Sequence, residues 1–182
     1  MNWLLAIGLL DPNNFVFVDE TGTHTSMTRR YARALRGELA CEAVARNYGE
    51  ILTLVSAINA SGIQTQMAFD GAMNKITFIT FIQECLVPSL RSGQVVIMDR
   101  LSSHCNAEVK KLIEATGCYL VFLPSYSPDF NPIELMFSWL KTFLRSVKAR
   151  SRDDLLEAIG KSEGLISGVL VGAWFAACNY IV

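Results

Sequence analysis

Three carboxylates stand out by what precedes them. Asp19 closes the run FVFVD, Asp99 closes VVIMD, and Glu134 follows the stretch FLPSYSPDFNPI. Unbroken apolar runs are what a strand covered on both faces requires, so residues 15–18 and 95–98 are expected as central strands, each with an aspartate at its C-terminal end. As parallel neighbours, those ends would lie roughly 5 Å apart across the hydrogen-bonding direction. Two carboxylates that close repel each other, and either a raised pKa or a divalent cation relieves the repulsion.

The third acid arrives on a stiffened chain. Pro124, Pro128 and Pro132 each fix their own φ and push the preceding residue out of the helical region, so the connector is extended and its path largely dictated. Asn131 is a favoured N-cap and Pro132 a favoured first helical residue, which starts a helix with Glu134 at its third position. On helix composition alone, Glu134 is then the acid of a capping box with Asn131. Ile133, Met136, Phe137, Leu140, Phe143, Leu144 and Val147 follow the spacing of a core-facing stripe. Glu134, Ser138, Lys141, Arg145 and Lys148 fall on the other face, so the acid heads a column of positive charge, the pattern of a solvated helix or of a phosphate-binding one.

The remaining elements must hold these groups. Strands are expected at 50–58 and at 64–69, after a turn at Ser61 and Gly62. A helix is expected over 74–90, stopped early by Pro88, and another over 106–116 between the strands at 94–99 and 119–124. That β-α-β order makes the two flanking strands parallel and the class α/β.

At 182 residues the chain suits one domain with its own core. Half of it is apolar and the net charge is −1, so contact with nucleic acid would need a local basic patch rather than overall charge. Cys41, Cys85, Cys105, Cys118 and Cys178 form no CxxC pair, and no secretory signal is expected ahead of them, which points to reduced thiols and a cytoplasmic location. Residues 164–182 carry no charge and approach the ~20 residues of a membrane span. Their glycines and Asn179 favour a terminal helix packed on the domain, so no membrane partner is expected.

Together, FVFVDETGTHTSMTRRYARALRGE, VVIMDRLSSH and LVFLPSYSPDFNPIELMFSWLKTFLR resemble the DDE endonuclease domain of insertion-sequence transposases in the mariner superfamily. The 34 residues between Asp99 and Glu134 (134 − 99 − 1) match that family's spacing between second and third acids. The resemblance implies an RNase H-like fold, a mixed central sheet flanked by helices, over residues 1–149. A C-terminal helical extension would occupy 150–182, and the family's N-terminal helix-turn-helix region is not expected in this chain. It implies Asp19, Asp99 and Glu134 as catalytic, metal-binding acids holding two Mg²⁺ or Mn²⁺ ions for DNA strand cleavage and transfer. The implied partners are transposon-end and target DNA, with a second transposase copy or a chain carrying the helix-turn-helix region. The proline connector acquires a reason, since an acid sharing metals with two strand ends cannot sit on a loose loop.

Other residues are read alongside. Glu20 should point to the opposite side of its strand, in a solvated or salt-bridged role. His104 holds the family's histidine position and either touches DNA or is a hydrogen-bonded structural residue; His24 is expected in a loop. Arg29 and Arg30 in RRYARALR, with Lys141, Arg145 and Lys148, are candidate phosphate contacts, a charged surface strand being the other reading of the arginines. Where relatives commonly carry asparagine after the second acid, this chain has Arg100, which would either pair with Asp99 and compete with the metal or bind phosphate. Two alternatives accompany the main reading. One is a truncated, inactive transposase remnant that pairs with full-length copies. The other is a phosphotransferase whose aspartyl nucleophile lies in VFVDETGT; Glu20 and the NPIE motif fit it poorly.

Overall fold

The computed structural model describes residues 3, 7–45, 49–101 and 104–182. Five strands, β1 (Phe15–His24), β2 (Ile51–Asn59), β3 (Gly62–Asp70), β4 (Val95–Met98) and β5 (Tyr119–Phe122), form one sheet in the order β3-β2-β1-β4-β5. The β1–β2 and β2–β3 pairs are antiparallel, whereas β1–β4 and β4–β5 are parallel. The sheet is therefore mixed, with the two FVFV- and VVIM-type strands at its centre.

Alternation along these strands separates two cores. Phe15, Phe17, Val95 and Ile97 face one side, where they meet α3 (Pro132–Val147), α4 (Arg152–Glu163) and α5 (Gly168–Ala177). Val16, Val18, Val96 and Met98 face the other, against α1 (Lys75–Phe81) and α2 (Ala107–Glu114). Both sets are buried, which is why the runs had to be apolar throughout. The 2-residue period then sends Asp19 and Asp99 to the α3 side and Glu20 to the α1 side, as the reading of Glu20 required.

Some expectations change. Asp99 follows the end of β4, but Asp19 lies in the middle of β1, because β1 continues to His24 against β2 beyond the point where β4 stops. His24 accordingly ends a strand rather than lying in a loop. Pro88 does not stop its helix early: α1 passes through a π turn (Ile82–Leu86) into a last turn, Val87–Ser89. The wider turn moves the hydrogen bonding to Val87 N–H···Ile82 O ahead of the proline. Val147, assigned to the core stripe of α3, is exposed at its last position. The arginine-rich segment is no strand; among the described residues, 27–45 lack regular structure and 29–45 are exposed.

Residues 152–180 share the core of the sheet. Phe175 of α5 lies edge-on to Phe17, 5.5 Å between centroids, and Tyr180 packs on Phe15 and Phe17. The expected helical extension is thus part of one hydrophobic core with Ile133 and Phe137. No helix among the described residues is long and apolar enough to cross a membrane; α5 has 10 residues and buries Val171, Trp174 and Phe175.

Candidate active site

The three acids come from three elements and line one open cavity of about 390 Å³, with Arg100, Asn131 and the proline connector from Leu123 to Pro128. Asp19 is supplied by mid-β1, Asp99 by the residue after β4, and Glu134 by the first turn of α3. The parallel register pairs Val18 with Met98, so the two aspartates stand next to each other one residue further on. α3 packs on β1 through its apolar stripe, which sets its N-terminus, and Glu134 with it, over that ledge.

Asp19 is almost fully buried. Its Oδ1 accepts from Glu20 N–H at 2.8 Å and its Oδ2 from Asn131 Nδ2 at 2.8 Å. Burial, aided by the charges of Asp99, Glu134 and Glu20, pushes its pKa up to about 7 against the relief given by the Glu20 amide. The site holds more negative charge than the chain neutralises there.

Asp99 is treated differently. Its Oδ1 lies 2.5 Å from His104 Nδ1 and accepts from Leu101 N–H at 3.2 Å. His104 is wholly buried, and its Nε2 lies 3.0 Å from Glu20 Oε2. Two carboxylate acceptors require both ring nitrogens to donate. Burial alone would lower the imidazole pKa, yet the bonds to Asp99 and Glu20 outweigh it and raise it to about 9. The same bond and charge hold the Asp99 carboxyl below the usual range in spite of its own burial. His104 therefore offers no surface to DNA, and of the two readings of this residue the structure gives the hydrogen-bonded one. It ties the end of β4 to β1 on the face where Phe78 packs on its ring at 4.3 Å.

The basic candidates divide. Lys141 and Arg145 lie on the partly exposed side of α3, and burial and the neighbouring charge of Arg30 lower both of their pKa values. His24 feels the same two α3 cations and has Nδ1 2.7 Å from Ser26 Oγ. Arg30, Lys141 and Arg145 thus form one positive patch beside Glu134, whose charge also acts on Lys141. Arg29 is exposed on the irregular segment. Lys148, in left-handed conformation at the end of α3, is paired with Glu42 and is not available as assigned. Arg100 lines the cavity, and no ion pair joins it to Asp99 among the described residues; the ion pair of Asp99 is with His104.

Two features escaped the sequence. The capping box does not form: Asn131 precedes the helix, but its side chain makes no cap bond and turns to Asp19 instead. Tyr126 is fully exposed at φ 58° on the cavity wall. Nothing in the local pattern of SYSP marks that conformation, since the left-handed region is uncommon outside glycine.

Among the described residues, no three His, Cys, Asp or Glu side chains cluster tightly enough to hold a metal ion as they stand. The donor set nevertheless fits one. It is all oxygen, uncompensated at Asp19, and placed on one open cavity, which suits Mg²⁺ or Mn²⁺ rather than a softer metal.

A family model for DDE superfamily endonucleases matches residues 14–156, and the chain belongs to that family. No curated protein matches it. Among solved structures, that of a pre-cleavage Mos1 transpososome is similar with a TM-score of 0.77 at 14% identity, covering 97% of this chain and 58% of the other. The Mos1 mariner paired-end complex with Mn gives 0.75 at 14% identity, covering 97% and 55%. The Mos1 transposase catalytic domain with raltegravir and Mg gives 0.69 at 13% identity, covering 97% and 88%. The chain spans 58% of the first of these proteins and most of the isolated catalytic domain. Its fold is that of the mariner transposase catalytic domain, RNase H-like as expected, and the phosphotransferase reading of VFVDETGT is set aside.

Proposed function

We propose that this chain is the catalytic domain of a transposase that cleaves DNA strands and joins them to a target, with Asp19, Asp99 and Glu134 as the catalytic acids. The observation that carries the reading is the gathering of these three carboxylates, from β1, β4 and α3, on one cavity of a DDE-family chain. The three would hold two Mg²⁺ or Mn²⁺ ions, which when bound supply a Lewis acid at the phosphodiester and an activated oxygen nucleophile. The chain's own part is to keep the acids in place. His104 holds Asp99, Asn131 and the Glu20 amide hold Asp19, and the connector carries Glu134.

DNA is the expected partner. The patch of Arg30, Lys141 and Arg145 would contact backbone phosphate on the α3 side, and Arg100 in the cavity would meet the phosphate that reacts. Binding to specific transposon ends would fall to a helix-turn-helix region, in a further segment or a partner chain, and a second transposase copy would complete the paired complex. Five free cysteines support a cytoplasmic location.

Nicking of supercoiled plasmid by the purified chain with Mn²⁺ tests this reading. Nicking is expected from the parent and lost in Asp19→Asn, Asp99→Asn and Glu134→Gln, each folded as judged by circular dichroism. Nicking that persists in any one of the three would remove that residue from the catalytic set.

A further inference from the structure

Asn131 behaves unlike an N-cap. It is 3% exposed, and its amide nitrogen is committed to Asp19 Oδ2 at 2.8 Å. Its Oδ1 is buried with no hydrogen-bond partner, and so is Ser56 Oγ, on the residue paired with Asp19 across the β1–β2 ladder. Two of the three such orphaned atoms among the described residues therefore belong to the residues flanking one carboxylate. Buried polar atoms of this kind cost stability unless they find a partner, and for the Asn131 Oδ1 that partner must be a donor. Turning the amide over would not help, because Oδ1 would then face the Asp19 carboxylate, acceptor against acceptor.

The cavity is the open side from which a donor can approach. Asn131 lines the cavity of the three acids. A hydrated divalent cation bound at Asp19 presents water hydrogens to its surroundings, and Mg²⁺ in particular retains several waters when protein-bound. From this geometry we infer that Asn131 is a positioning residue of the metal site: its Nδ2 orients Asp19, and its Oδ1 accepts from water on the cation that Asp19 holds. The NPIE motif would then place two residues at the site, Asn131 beside the first acid and Glu134 as the third. This rests on the metal-dependent reading above.

The test is Mn²⁺ binding by calorimetry, with melting in EDTA as a separate readout of the fold. Asn131→Ser keeps a good N-cap residue but deletes the amide. It should melt close to the parent in EDTA and bind Mn²⁺ about 10–100-fold more weakly, the usual cost of removing an outer partner of a metal ligand. Asn131→Thr makes the same deletion with a second good N-cap residue, should lose Mn²⁺ affinity to the same degree, and carries the test if the serine variant fails to fold. A folded Asn131→Ser or Asn131→Thr with parental affinity would overturn the inference. If Asp19→Asn also leaves Mn²⁺ affinity unchanged, the fault lies with the metal reading itself; if Asp19→Asn abolishes binding, only the role of Asn131 is lost.

Discussion

Asp19 and His104 respond to pH in ways that follow from their surroundings. The Asp19 pKa is raised from 3.8 to about 7, so the folded chain holds this proton more tightly than the unfolded one. Without metal, its effect is to lower stability as pH rises from about 4 to about 7, by up to roughly 4 kcal/mol at 1.36 kcal/mol per unit. His104, raised from 6.5 to about 9, contributes stability that is complete below 6.5 and is lost as pH climbs through 9. Urea unfolding in EDTA at pH 5, 7 and 9 should show stability falling across both windows. Asp19→Asn should flatten the lower window and stabilise the metal-free chain at pH 8. His104→Ala should cost about 3 kcal/mol, since it leaves Glu20 and Asp99 without their shared cation, and should remove the upper window in the same experiment. The apolar runs that set Asp19 and Asp99 side by side were legible in the sequence, whereas the partnership of His104 with Glu20 was not. That pair spans 84 residues and depends on a strand face that only the folded sheet defines.

At the scale of elements, the site depends on stiffness between β5 and α3. The connector turns through a short 3₁₀ segment, Pro128–Phe130, and delivers Asn131 and Glu134 within one helical turn. Two glycines inserted after Ser127 would leave the packed elements untouched, and the extra loop length costs only a few tenths of a kcal/mol of closure entropy. Nicking should nevertheless fall at least tenfold while the melting temperature barely moves, since catalytic groups tolerate displacements of only about 0.5 Å. Elements were legible where the pattern was strong: FVFV and VVIM gave central strands, and the α3 stripe gave its buried face. Local rules failed where a distant group intervened. Asn131 has the composition of a cap, but the carboxylate of Asp19, 112 residues away in sequence, takes its amide. The π turn before Pro88 was likewise hidden, because a proline near a helix end ordinarily signals a stop.

At the scale of the molecule, residues 152–180 close one face of the sheet and reach back to the site. The Tyr180 hydroxyl donates to Phe130 O at 2.8 Å and accepts from Trp3 Nε1 at 3.0 Å, while its ring packs on Phe15 and Phe17. Tyr180→Phe keeps the ring and deletes both bonds, so it should cost about 1–2 kcal/mol by urea unfolding. It should also weaken nicking, because Phe130 adjoins Asn131; unchanged nicking would mean that the connector holds itself. The tie between Tyr180 and the connector also gives the site an order in time. Translation delivers Glu134 46 residues before Tyr180 (180 − 134), a delay of roughly 2–9 s at about 5–20 residues per second. During that interval a growing chain carries all three acids but lacks the anchor for the segment that positions the third. Of the described elements this anchor is made late, so the arrangement of the three acids is complete only once the chain has been synthesised through residue 180 and α5 has docked.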